Sequence, residues 1–101
     1  MTGRRAVLAT VFDAVESETP YGGRSVTYEP LGVVWVKLGA VRRQTRAEGG
    51  IGRTIDHVSA EGRADARLIP GRVLRLGGAD WRVTASETVG GRSLLTMERT
   101  R

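Results

Sequence analysis

The sequence predicts an all-β domain, a small antiparallel β-barrel or sandwich of about seven strands, and three observations carry that reading. Apolar and polar residues alternate at a period of two through most of the chain, turn-forming Gly, Pro and Asp clusters recur every 8 to 12 residues or so, and no segment shows the repeat of an amphipathic helix. Short strands between regular turns favour a barrel or sandwich over a helical or doubly wound fold. A length of 101 residues holds one domain, residues 1–101, whose folding removes roughly two-thirds of the extended-chain surface from water.

In residues 5–16, Val7, Ala9 and Val11 share one face and Leu8, Thr10 and Phe12 the other, so the first strand is apolar on both sides near its middle. Thr19, Pro20, Tyr21, Gly22 and Gly23 then make a turn, proline fixing one φ and glycine permitting a positive one. Residues 25–29 alternate again, and residues 32–41 set Val34, Val36 and Leu38 against Val33 and Trp35. Pro30 breaks the ladder between them, so two strands are expected there.

Residues 42–53 lose the alternation. Gly49, Gly50 and Gly52 make helix or strand costly in backbone entropy, so the segment reads as a long flexible loop. A more polar strand runs from Thr54 through Val58 toward Gly62 and Arg63, and Leu68, Ile69, Pro70 and Gly71 form a break. Residues 72–76 are a short strand, Gly77, Gly78, Ala79 and Asp80 a tight turn, and Trp81, Val83 and Ala85 the inward face of the partner strand. After the turn at Val89, Gly90, Gly91 and Arg92 comes a last strand with Leu94, Leu95 and Met97. The expected core includes Trp35, Trp81, Val34, Val36 and Val83, with Trp35 nearer the rim because Val33 and Lys37 share its face.

Composition narrows the function. Lys and Arg number 16 against 11 Asp and Glu, a net charge of +5, and such a surface attracts phosphate or an acidic partner. Lys37 is the sole lysine, and an arginine excess beside abundant Ala and Gly also fits a GC-rich genome. With no cysteine there is no disulfide, no thiolate nucleophile and no Cys-based metal site, and His57 alone does not make a zinc site. No apolar run approaches the roughly 20 residues that span a bilayer, so a soluble, non-exported chain without a membrane role is expected.

No catalytic residue and no cofactor is expected. Asp56 lies beside His57, but adjacent strand residues point to opposite faces, so they cannot form a base and its orienting partner. The glycine clusters lack both the Gly-x-Gly-x-x-Gly spacing and the Walker lysine, so no nucleotide site is assigned. The basic segment is different: Arg42, Arg43, Arg46 and Arg53 stand against Glu48 alone, a local charge of +3 around Gly49, Gly50 and Gly52. A segment of that kind is uncommon in a small domain unless it binds or closes something.

The order of features resembles the head-closure, or head-tail joining (stopper), family of long-tailed phages, whose members also occur in gene transfer agents and prophages. The resemblance spans nearly the whole chain. It rests on Tyr21, Gly22, Gly23; on Val34, Trp35, Val36; on Thr54 to Val58 with His57; and on Gly71, Arg72, Val73, the Trp81, Arg82, Val83 strand and Gly90 to Leu95. It departs in a shorter, glycine-richer segment after Val41 and at Ala64 to Ala66. The resemblance implies a homo-oligomeric ring in the neck of a virion or virion-like particle, assembled in the host cytoplasm. Its implied partners are a portal or adaptor protein on the head side and a tail terminator or tail-tube protein on the other. Double-stranded DNA would be held nonspecifically in the channel by Arg42, Arg43, Arg46 and Arg53. The competing reading is a nonspecific single-stranded nucleic-acid-binding barrel that stacks bases on Trp35 and Tyr28.

Overall fold

Period-two alternation becomes seven antiparallel strands in the computed structural model, which describes residues 5–48 and 51–100. They are β1 (Ala6–Glu18), β2 (Arg24–Leu38), β3 (Arg42–Glu48), β4 (Ile51–Arg63), β5 (Val73–Leu76), β6 (Ala79–Val89) and β7 (Arg92–Thr100). Their spatial order is β2-β1-β5-β6-β7-β4-β3, and β2 pairs with β4 as well. Six strands therefore close on themselves, the defining feature of a small barrel, with a seam at Val36↔Gly62, Lys37↔Glu61 and Leu38↔Ala60. Among the described residues, β3 alone stays outside the circuit, paired only to β4.

The inner face carries the core: Ala9 and Val11 from β1, Val36 from β2, Val58 and Ala60 from β4, Leu74 and Leu76 from β5, Trp81 and Val83 from β6, and Leu95 and Met97 from β7. Val34 packs against this cluster half-buried. Of the expected core, Trp81, Val36 and Val83 are buried as the alternation requires. Trp35 is not. It is 62% exposed, because a closed sheet has one interior and the parity that buries Val36 turns Val33, Trp35 and Lys37 outward. Ala85 is exposed too, since the pairing shifts register between Val83 and Ala85.

Two strand assignments also differ. Pro30 does not divide β2: Val11 faces Gly32 and Phe12 faces Pro30, so Leu31 is an extra residue in a bulge, where a missing N–H and an interrupted ladder are tolerated. Gly32 there has φ +114°, and a Cβ on it would stand 2.5 Å from Arg67 Nη1. That guanidinium donates to the carbonyls of Leu31 (2.8 Å) and Val33 (3.3 Å) and is held by Asp65 (2.6 Å). The hydrogen bonds to Arg67 keep the Asp65 carboxyl below the usual carboxylate range against the opposing effect of burial. Residues 42–53, expected as an irregular loop, are strand on both sides of Gly49 and Gly50, which lie outside the described residues; the ladder runs from Arg42↔His57 to Glu48↔Ile51. Cross-strand hydrogen bonds to β4 offset the backbone entropy that composition alone counts against a strand.

Two ribbons leave the closed sheet. β1 meets β5 only from Thr10 to Phe12, so residues 13–18 and 24–29 continue as a two-stranded arm, and every residue from 20 to 30 is exposed. On β4, the pairing with β7 begins at Ile55, so residues 51–54 are paired with β3 alone. The radius of gyration, 15.2 Å, exceeds the roughly 13 Å of a compact chain this long, and the long axis reaches 53 Å.

Candidate functional site

The β3–β4 ribbon is held at its root by one carboxylate. Asp56, fully buried on β4, faces Arg43 in the ladder and accepts from Arg43 Nε through Oδ1 at 3.0 Å. Its Oδ2 accepts from Arg99 Nη2 of β7 at 2.9 Å, and the Arg99 guanidinium lies 4.8 Å from the centre of the Trp81 ring. A chain of contacts thus runs from the core tryptophan through Arg99 and Asp56 to the ribbon. Arg43 is an anchor of the ribbon, bonded to Asp56 through Nε with more than half of its side chain exposed.

Arg42, Arg53 and Gln44 are exposed, and the register places Arg46 opposite Arg53 and Arg42 opposite His57. The ribbon keeps its positive balance beyond the anchor, with β3 presenting an outer backbone edge that no described strand covers. Such a surface can hold an anion of any sequence through charge alone. Of the residues singled out in the sequence, Arg42, Arg43, Arg46, Gly52 and Arg53 are thus gathered on one hairpin, while Gly49 and Gly50 fall outside the described residues.

His57 and Asp56 do point apart, as strand parity dictates: the Asp56 carboxylate is engaged by Arg43 and Arg99, and His57 sits half-buried beside Ala40, Arg42 and Thr96. Sequence reading missed the anchoring role of Asp56, whose partners lie 13 and 43 residues away, and the Arg67 clamp on β2. A carboxylate between polar strand residues carries no local signal of its partners; only the strand register brings them together.

No protein-family model matches this sequence, and no curated protein matches it. Among solved structures, a chain of a structure described as the virion of a native gene transfer agent (GTA) particle superposes with a TM-score of 0.76, covering 98% of both chains at 19% identity. The two share a fold. The likeness extends over nearly all of each chain and so includes both ribbons as well as the closed sheet.

Proposed function

We propose that this protein is a structural component of a phage-like particle, placed in the neck, where copies form a ring below the portal or adaptor, narrow the DNA channel and dock the tail. The observation that carries this reading is the end-to-end structural likeness to a chain of a gene transfer agent virion, in keeping with the order of sequence features that resembles the head-closure family. The geometry suits the role. The closed sheet is a rigid mount, the acidic and basic ribbons are ready for neighbours, and the β3–β4 hairpin supplies Arg42, Arg46 and Arg53 for nonspecific contact with duplex DNA. A portal or adaptor on one side and a tail terminator or tail tube on the other complete the assembly, which takes place in the host cytoplasm. Its purpose is assembly, without catalysis.

The test removes charge without touching the anchor. Arg42→Ser, Arg46→Ser and Arg53→Ser combined, with Arg43 retained, should leave thermal unfolding unchanged and yield particles that lose packaged DNA or lack tails. Normal DNA retention and tail joining in that variant would remove the hairpin from the channel.

One observation favours the nucleic-acid-binding alternative: Trp35 is exposed on the same face as Lys37. Beside it lie the apolar Leu8 and Val33, and of the basic groups at its edge Arg67 is paired with Asp65, which suits a protein contact better than a run of stacked bases. Salt-dependent binding of oligo-dT that Trp35→Ala abolishes would support the alternative.

A further inference from the structure

Trp35 also marks an apolar face that its own chain leaves uncovered. Leu8 lies directly opposite it in the β1–β2 ladder, Val33 follows two residues away, and the three are 47%, 62% and 54% exposed in the order Leu8, Trp35, Val33. A groove of about 400 Å³ runs beside them, bordered by Arg63, Asp65 and Arg67. Contiguous exposed aromatic and aliphatic side chains with a charged rim are the usual make-up of a protein contact, and a tryptophan is the side chain most often dominant in one.

The same chain carries a matching projection. Tyr21, at the tip of the β1–β2 arm, is 98% exposed, and the turn is fixed by Thr19 accepting from Gly22 N (3.1 Å) and Gly23 N (3.0 Å to Oγ1), so the ring is presented on a structured tip. The arm, residues 13–29, holds Asp13, Glu16, Glu18 and Glu29 against Arg24 alone, a net charge of −3. Arg63 and Arg67 border the Trp35 groove with the opposite sign, Asp65 there being paired with Arg67, and Lys37 shares the outer face of β2 with Trp35. Tyr21 cannot reach its own groove: it lies beyond the start of β2, which runs eleven residues from Arg24 to Trp35, roughly 36 Å at strand rise.

We infer that the Tyr21 arm of one copy docks in the Leu8–Val33–Trp35 groove of the next copy. Knob and groove are different surfaces far apart on the molecule, so the contact is head-to-tail, and its repetition closes into a ring when the rotation per copy divides a full turn. The contact deepens, and rests on, the ring assembly proposed above. It uses a site separate from the arginine hairpin, so DNA and neighbour do not compete.

Tyr21→Ser and Trp35→Ser alter largely exposed side chains, so they test the contact and not the fold. By sedimentation velocity at low salt and up to roughly 1 mM protein, the wild-type chain should self-associate, and each substitution should weaken association at least tenfold. Glu16→Lys with Glu18→Lys, and separately Lys37→Glu with Arg63→Glu, should each give monomers, and mixing the two variants in equal amounts should restore the assembly. A wild-type chain that stays monomeric, association indifferent to Tyr21 and Trp35, or a mixture that stays monomeric would each overturn the contact. Oligo-dT quenching of Trp35 in place of self-association would assign the groove to nucleic acid and overturn it equally. None of these results touches the particle role, which is read from DNA retention and tail joining; conversely, loss of that role would leave a measured self-association standing.

Discussion

Asp56 is where the ribbon, the last strand and the core meet. Its carboxylate has no solvent exposure, and two guanidiniums reach it from strands on either side, one of them stacked on Trp81. Removing the buried carboxylate leaves the partly buried Arg99 guanidinium uncompensated, at a cost of about 3 kcal/mol, while Arg43 can turn to solvent. Asp56→Ala should therefore lower the Tm by roughly 10 to 20 °C for a domain of this size, measured by circular dichroism. A Tm within a few degrees of wild type would mean that Arg43 and Arg99 are satisfied without it. The sequence allowed one correct statement about this residue, that it and His57 face opposite ways, because strand parity is local. Its partners were illegible because they are set by cross-strand register. The same holds for Arg43, grouped with Arg42 and Arg46 by composition and separated from Arg42 by parity and by its bond to Asp56.

Among the elements, the β2–β4 seam decides whether the sheet is closed. Gly62 sits in that seam opposite Val36, and a Cβ on it would lie 2.7 Å from the Trp35 carbonyl oxygen, a backbone atom that cannot rotate away. Gly62→Ala should cost about 2 kcal/mol through this overpacking, and raise amide exchange at residues 36–38 and 60–62 ahead of the rest of the sheet. Gly52→Ala is the control, because nothing stands within 4 Å of its Cβ position, and it should leave the seam unchanged. Equal seam protection in both variants would contradict the steric argument. The strand count of seven was legible in the sequence, yet two differences offset each other in it: Pro30 sits in a bulge within one long β2, and residues 42–48 form β3. Proline and glycine report local backbone preference. They do not report the neighbouring strand, the extra Leu31 or the Arg67 hydrogen bonds that make an exception stable.

At the scale of the whole molecule, the chain is a closed six-stranded sheet with two ribbons of opposite charge, one residues 13–29 and the other built on β3 and the start of β4. The sheet was legible from alternation and turns, because burial on one face repeats every second residue. Its closure was not, because alternation suits barrel and sandwich alike; in either form β2 packs one face on the core, so the parity that buries Val36 leaves Trp35 to solvent or to a partner. The division between sheet and ribbons predicts a gradient of stability. Ribbon hydrogen bonds are shielded by no third strand and by no core side chain of the cluster around Met97 and Leu74, so they open without unfolding the sheet. In native-state hydrogen exchange, amides of residues 13–18, 24–29, 45–48 and 51–54 should exchange well ahead of those at Val11, Leu74, Val83 and Met97. The slow group should exchange together, at the free energy of global unfolding. Assembly at the Trp35 groove would then slow the residues 13–29 arm selectively, because docking supplies the missing third layer, while the arginine hairpin should keep its rate until DNA is added. Uniform protection across arms and sheet in the isolated chain would mean that the ribbons are integral to one cooperative unit, and the separation of mount from contact surfaces would fall with it.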